Sequence, residues 1–89
     1  MTYMIVQHEV EDFAQWKAVF DSNVDLRRTN GEKSAQILHD AEDPNKLTLI
    51  FEWDSLENAR NYVQNPALKA AMQQAGVRTP PVFQFLNEN

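Results

Sequence analysis

Cysteine is absent from this chain, and glycine occupies only two of its 89 positions. Without cysteine there is no disulfide, thiolate metal site or thiol nucleophile. Two glycines cannot build a glycine-rich loop that holds a phosphate group. No run of basic residues is longer than Arg27-Arg28, and 13 acidic against 8 basic side chains give a net charge of -5. We therefore expect neither nucleic acid nor an anionic membrane as a partner, because both need a concentrated basic face.

The first residues, MTYMIVQHEVED, contain no basic segment and only a short apolar run before acidic residues follow. They have the pattern of neither a signal peptide nor a membrane span, so we expect a cytoplasmic protein. The length predicts one domain, residues 1–89, which buries only about 60–65 % of the surface of its unfolded chain. A small-molecule site is then expected in a groove or between subunits.

The first half of the chain predicts a strand followed by a helix. Tyr3–Val10 is apolar and rich in β-branched residues, which is typical of a strand. Apolar residues then recur at helical spacing, which predicts one helix at about 12–29. Asp12 and Gln15 have capping-box spacing, and Gly31 suits the position that ends a helix.

The second half predicts a hairpin, a broken helix and a last strand. Residues 34–41 and 46–53 are predicted strands, joined by Asp43-Pro44-Asn45, which suit a type I turn. A second helix begins at Asp54 or Ser55. Asn65-Pro66 should divide it, because proline lacks the amide donor and Asn65 can cap a new segment. The segment VFQFL forms the last strand.

This order of elements predicts an α+β, ferredoxin-like βαββαβ fold, with two helices on one face of a four-stranded antiparallel sheet. Strands covered on one face should alternate apolar and polar residues, and these do not. In the first strand Tyr3 and Ile5 oppose Met4 and Val6, and the third and last strands are similar. Something besides the helices should therefore cover the sheet, and we expect a second copy of the chain, giving a homodimer.

The DPN hairpin, the strand that ends in FEW and the stretch DSLENARNYVQNPALKAAMQQAG together resemble the dimeric α+β barrel superfamily, close to its antibiotic biosynthesis monooxygenase-like group. The resemblance covers nearly the whole chain. It implies two subunits packed sheet against sheet, with a small pocket between sheet and helices in each. Members include monooxygenases, heme-degrading enzymes, isomerases and proteins without known activity, so the resemblance implies the fold more specifically than the function.

Heme-degrading members have an Asn in the first strand, a Trp in the second helix and an iron-binding His. In this sequence the Asn falls near Gln7, the Trp falls on Tyr62 and the His falls on Met72. A lone methionine is a weak heme ligand, so heme degradation by that mechanism is not expected. Cofactor-free monooxygenases of the group place a strand Asn and a Trp in the pocket. Trp53 matches the Trp, but Leu49 replaces the Asn and cannot form its hydrogen bonds.

The two histidines, His8 and His39, are the candidate catalytic residues, as general base and orienting partner, because imidazole exchanges protons near pH 7. Each can equally be a half-exposed strand residue, and the third strand should lie between them. No third histidine and no standard ligand spacing are present, so we expect no metal site, and we expect no cofactor.

Aromatic and long side chains supply the candidate substrate-binding residues. The alternative for each helical residue is a place in the core, because a stripe at helical spacing is more often core than ligand site. Trp53 has the same alternative, and Glu52 should point to the opposite face of its strand. The candidates are Gln7, Trp16, Phe20, Trp53, Tyr62 and Met72.

Two functions agree with these observations. One is a small, cofactor-independent, monooxygenase-like enzyme that acts on an apolar aromatic or polyketide-like molecule in a pocket between sheet and helices. The other is a non-catalytic dimeric module that binds small molecules or acts as a scaffold. If the protein is the enzyme, we expect a histidine that reaches into a dry pocket. If it is the non-catalytic module, we expect both histidines to face water or the dimer contact.

Overall fold

The computed structural model describes all 89 residues and has the predicted ferredoxin-like architecture, with all helices on one face of the sheet. The four strands are antiparallel and lie in the order β2-β3-β1-β4, so β3 separates β1 from β2 as the sequence predicted. No helix is both long and apolar enough to cross a membrane. The elements are β1 Thr2–Glu9, α1 Phe13–Ser22, α2 Val24–Asn30, β2 Glu32–His39, β3 Lys46–Trp53, α3 Leu56–Val63, α4 Pro66–Gln74 and β4 Val82–Asn87.

The prediction of one continuous helix at 12–29 was wrong, because the helix breaks at Asn23 between α1 and α2. The Asn23 side-chain amide donates to the Val19 carbonyl at 2.8 Å, and such bonds compete with the helical ladder. The Phe20 carbonyl accepts from the backbone N–H of Asn23 at 3.2 Å and from Nη1 of Arg27 at 2.6 Å. With that carbonyl occupied, the regular bond to the next turn is lost.

The N-terminal caps follow the sequence closely. Asp12 accepts from the backbone N–H of Gln15 at 2.9 Å, although the Gln15 side chain donates to the carbonyl of Gln74 and does not complete the capping box. Ser55 accepts from the N–H of Asn58 at 3.1 Å, so Ser55 and not Asp54 caps α3. Asn65 accepts from the N–H of Ala67 at 2.9 Å and begins α4 at Pro66, as predicted.

Strand β2 begins and ends earlier than the predicted 34–41. Gly31 ends α2 with φ of 122° and turns the chain directly into the strand at Glu32. At the other end the N–H of Asp40 donates to the Lys46 carbonyl at 2.8 Å, which closes the hairpin. Asp43 accepts from the N–H of Asn45 at 2.9 Å, which confirms the predicted turn chemistry.

Strand register assigns each residue to a face of the sheet. Met4, Val6 and His8 of β1 pair with Phe51, Leu49 and Leu47 of β3, and all of them face the helices and are buried. The opposite face carries half-buried Tyr3, Ile5 and Ile50, and exposed Leu38, Val82 and Leu86. The helices thus cover one face and leave an apolar patch on the other.

Candidate functional site

A cavity of about 70 Å³ lies between the sheet and the helices. Its wall is almost entirely apolar, and the polar exceptions are His8, Asn23 and Arg27, together with the hydroxyl-bearing ring of Tyr62. Apolar cavities with a few polar groups are the usual form of small-molecule sites. The remaining wall residues are Met4, Val6, Trp16, Val19, Phe20, Leu49, Phe51, Leu68, Ala71, Met72, Ala75 and Phe83.

His8 lies near the end of the central strand β1 and lines this cavity. Its residue surface is 7 % exposed, and neither ring nitrogen has a protein hydrogen-bond partner. Burial lowers the pKa of the imidazole below its ordinary value of 6.5, since the charged form loses its hydration. His8 is therefore a neutral imidazole at pH 7, with one nitrogen as acceptor and one as donor, and the protein engages neither.

Two aromatic rings of α1 form one wall of the cavity. The Trp16 ring lies 6.0 Å from the His8 ring and stacks on Phe20 at a centroid distance of 4.8 Å. Trp16 and Phe20 are four residues apart, so helical periodicity places them on the same side of α1. The wall leads from His8 towards α2.

Arg27 lines the cavity beside the Phe20 ring. Its guanidinium carbon lies 3.6 Å from the centroid of the Phe20 ring, and its Nε donates to Oε2 of Glu32 at 2.5 Å. Arg27 is 4 % exposed and Glu32 7 % exposed, so the ion pair is buried. Glu32 does not line the cavity and lies behind the arginine.

Tyr62 and Trp53 extend the site in different ways. Tyr62 lines the cavity, and burial is the main cause that raises the pKa of its phenol to about 12, so it remains a hydrogen-bond donor at pH 7. Trp53 is fully buried and does not line the cavity. Its ring centroid lies 5.0 Å from that of Tyr62, and its Nε1 has no partner. Trp53 thus supports Tyr62 from the core.

Met72 and Leu68 of α4 form the wall opposite the sheet. No residue of α4 is fully buried, in contrast to α3, where Ala59 and Tyr62 are. A helix with little buried surface is held weakly by its neighbours. Of the walls of the cavity, α4 is accordingly the most easily displaced.

His39 and Gln7 lie outside the cavity. His8 and His39 both pair with Leu47 from opposite sides, so they share a face but are separated by β3. His39 is exposed, and its Nδ1 lies 2.9 Å from the carbonyl oxygen of Asp40. Gln7 is exposed on the opposite face of the sheet, and both residues line an open surface groove. His8 also lines this groove, but no hydrogen bond joins the two imidazoles, since neither nitrogen of His8 has a partner.

The structure brings together His8, Trp16, Phe20, Tyr62 and Met72 from the predicted set, while their roles in binding and catalysis stay predictions. Asn23 and Arg27 also line the cavity, and neither was among the residues predicted from the sequence. One signal was present: Glu32 follows Arg27 by five residues across the glycine that ends the helix.

The sequence comparison decides the family. Residues 4–74 match the family model described as antibiotic biosynthesis monooxygenase. The chain belongs to the antibiotic biosynthesis monooxygenase family. No curated protein has a matching sequence.

Solved structures share the fold of this chain at low sequence identity. SnoaB, a cofactor-independent oxygenase from Streptomyces nogalater, superposes with a TM-score of 0.79 at 13% identity over 99% of this chain and 92% of its own. A candidate antibiotic biosynthesis monooxygenase from Bordetella bronchiseptica gives 0.82 at 16% identity over 99% and 96%. A conserved protein from Methanosarcina mazei gives 0.75 at 13% identity over 100% and 94%.

Proposed function

We propose that this protein is a cofactor-independent, monooxygenase-like enzyme that binds an apolar aromatic molecule in the cavity, with His8 as general base. The observation that carries the proposal is the buried imidazole of His8, which lines a mostly apolar cavity and whose two nitrogens have no protein partner. A buried polar group without a partner costs stability, so its presence favours a functional reason. Family membership and the fold shared with SnoaB support the same chemistry.

His8 would remove the proton that makes the substrate reactive. A neutral imidazole can accept a proton from a phenol or from an activated C–H group beside an aromatic ring. Tyr62, whose phenol keeps its proton because its pKa is raised to about 12, can donate a hydrogen bond to an oxygen that gains negative charge. The stacked Trp16 and Phe20 rings provide the surface for the aromatic part.

The substrate itself supplies the electrons for oxygen. The carbanion left after deprotonation adds O₂, forming a carbon–oxygen bond, and the imidazolium of His8 returns its proton to give a hydroperoxide. Loss of the second C–H proton to His8 and cleavage of the O–O bond release hydroxide, which takes that proton and leaves as water. The net change turns a CH₂ group and O₂ into a carbonyl group and water, with no further reductant.

The size of the cavity sets a condition for binding. About 70 Å³ is smaller than the roughly 150 Å³ cavity that holds a benzene ring in an engineered protein core. An aromatic substrate therefore has to displace part of the wall. Displacement of α4, with its flexible Met72 side chain, would enlarge the space without moving His8.

The experiment compares His8→Leu with the matched control His39→Gln. Oxygen uptake is followed with an electrode while anthrone, which carries an activated CH₂ group between two aromatic rings, is supplied, and the carbonyl product is identified by mass spectrometry. Loss of a general base should reduce the rate by about 10²–10⁴ in His8→Leu, and His39→Gln should keep it. A folded His8→Leu protein with full activity would contradict the proposal, and absence of turnover in the unmodified protein would favour the non-catalytic module.

We also propose a homodimer in which the two sheets pack through the apolar patch defined by Tyr3, Ile5, Leu38, Ile50, Val82 and Leu86. Leu38 and Leu86 are each 42 % exposed and Val82 is 62 % exposed, which is unfavourable for large aliphatic side chains in water. The patch covers the sheet face that the family resemblance assigns to a second subunit. A cytoplasmic location, expected from the first residues, stays a prediction.

A further inference from the structure

The guanidinium of Arg27 has hydrogen-bonding capacity that the protein does not use. An arginine side chain carries five N–H donors in a fixed plane. In this structure Nε donates to Glu32 at 2.5 Å and Nη1 donates to the Phe20 carbonyl at 2.6 Å. The remaining N–H groups belong to a side chain that lines the cavity, so an oxygen atom of a ligand can accept hydrogen bonds from them.

The charge of Arg27 is already neutralised from outside the cavity. Glu32 contacts the guanidinium at 2.5 Å and is itself buried behind it. The other polar residues of the wall, His8, Asn23 and Tyr62, carry no charge when the imidazole is neutral and the phenol keeps its proton. The site as a whole is therefore neutral, although it presents arginine N–H donors.

A neutral site with free donors distinguishes ligands by their charge. A carbonyl or phenol oxygen satisfies the arginine N–H groups and adds no net charge. A carboxylate brings one negative charge that nothing in the cavity compensates, at a large desolvation cost and close to the carboxylate of Glu32. The two kinds of oxygen acceptor should bind with very different affinities.

We propose that the Arg27–Glu32 pair determines ligand specificity: the cavity takes an aromatic molecule whose uncharged carbonyl oxygen binds Arg27, and it rejects the corresponding carboxylate. The aromatic part of such a ligand lies along Phe20 and Trp16, which lead from Arg27 to His8. Because it takes the cavity as the ligand site, this proposal rests on the proposed function. Glu32 acts through Arg27 and is a positioning residue.

Two probes of equal size test the proposal. 2′-Hydroxyacetophenone and salicylate share a benzene ring with an ortho hydroxyl, and they differ in carrying a neutral ketone or a carboxylate. Affinities are measured by NMR titration of ¹⁵N-labelled protein, followed on the indole N–H of Trp16 and the Nε–H of Arg27. The unmodified protein should bind the ketone at least about tenfold more tightly than salicylate. Equal affinities, a preference for salicylate, or binding of neither probe would overturn the proposal.

The variant Glu32→Gln removes the compensating charge and keeps the shape of the side chain. Its Arg27 should attract salicylate, so that the ratio of the two affinities changes by about tenfold or more in favour of the carboxylate. An unchanged ratio in a folded Glu32→Gln protein would refute the role of Glu32.

A second variant keeps the test valid if Glu32→Gln does not fold, because an uncompensated buried charge is strongly destabilising. Replacing both partners, as Arg27→Met with Glu32→Leu, removes the charges together and is tolerated better than breaking the pair. This protein should lose about tenfold in affinity for the ketone while salicylate still binds weakly. Retention of full ketone affinity would show that Arg27 does not hold the ligand. If the two probes bind with equal affinity and oxygen uptake is intact, the specificity proposal is wrong and the oxygenase proposal stands. If the affinities are as predicted and no oxygen is taken up, the oxygenase proposal is wrong and the specificity proposal stands.

Discussion

Replacing His8 with leucine should make the protein more stable as well as inactive. Two ring nitrogens are buried without protein partners, and an unsatisfied buried polar group costs about 1–3 kcal/mol. Leucine has a similar volume and suits the apolar neighbours Val6, Trp16 and Leu47. The free energy of unfolding should therefore rise by about 1–3 kcal/mol at pH 7. For a domain of this size each kcal/mol corresponds to an increase in Tm of about 4–8 °C.

The gain from His8→Leu should grow as the pH falls. Burial lowers the pKa of His8 in the folded protein, so below 6.5 the unfolded chain binds a proton that the folded chain does not. The stability of the unmodified protein then decreases with falling pH, by up to about 1.4 kcal/mol per pH unit, until the folded pKa is passed.

Urea denaturation followed by far-UV circular dichroism, at several pH values between 5 and 8, measures this difference. The midpoint should increase in His8→Leu at unchanged m-value, since the surface exposed on unfolding is the same. A variant that is less stable than the unmodified protein, or a stability difference independent of pH, would refute the reasoning. Such results would mean that the imidazole is well solvated or hydrogen-bonded in solution.

Two further predictions concern the turn after α2 and the open face of the sheet. Gly31→Ala should lower the free energy of unfolding more than Gly76→Ala does. Both glycines have a positive φ, which costs about 1–3 kcal/mol for alanine. Only at Gly31 does the new Cβ also collide with a carboxylate, that of Asp54. Equal losses in the urea midpoint would contradict this. Val82→Lys with Leu86→Lys should dissociate the proposed dimer, whereas Asn61→Lys with Gln64→Lys adds the same two charges at exposed positions on the helical side and should leave the dimer intact. Sedimentation of the unmodified protein as a monomer at micromolar concentration would contradict the dimer proposal.

The order of elements could be predicted because caps and turn residues act locally. Asp12, Asn65 and the Asp43-Pro44-Asn45 turn all form the bonds that their side chains suggest. The break at Asn23 could not be predicted from helical spacing, because it depends on Arg27, which reaches back seven residues to the Phe20 carbonyl. Contacts of that kind follow from tertiary packing.

Residues of the candidate site could be predicted where helical periodicity determines the side of the helix on which a side chain lies. Trp16 with Phe20, and Tyr62 on the buried side of α3, follow from helical spacing. His8 and His39 could not be distinguished by residue type, and their difference comes from strand position. β1 is a central strand and β2 an edge strand, so the same side chain is buried in one and exposed in the other. The burial of an arginine depends on its partner, which composition alone does not reveal.

The Arg27–Glu32 pair has a consequence for how this protein can evolve. Losing either partner leaves the other as an isolated buried charge, at a cost of about 3–5 kcal/mol, which is a large part of the stability of a small domain. A lineage that acquires a different ligand polarity at this part of the cavity must therefore pass through an unstable intermediate, or exchange both residues almost together. Across natural variants, positions 27 and 32 should be either both charged or both apolar, and mixed combinations should be rare.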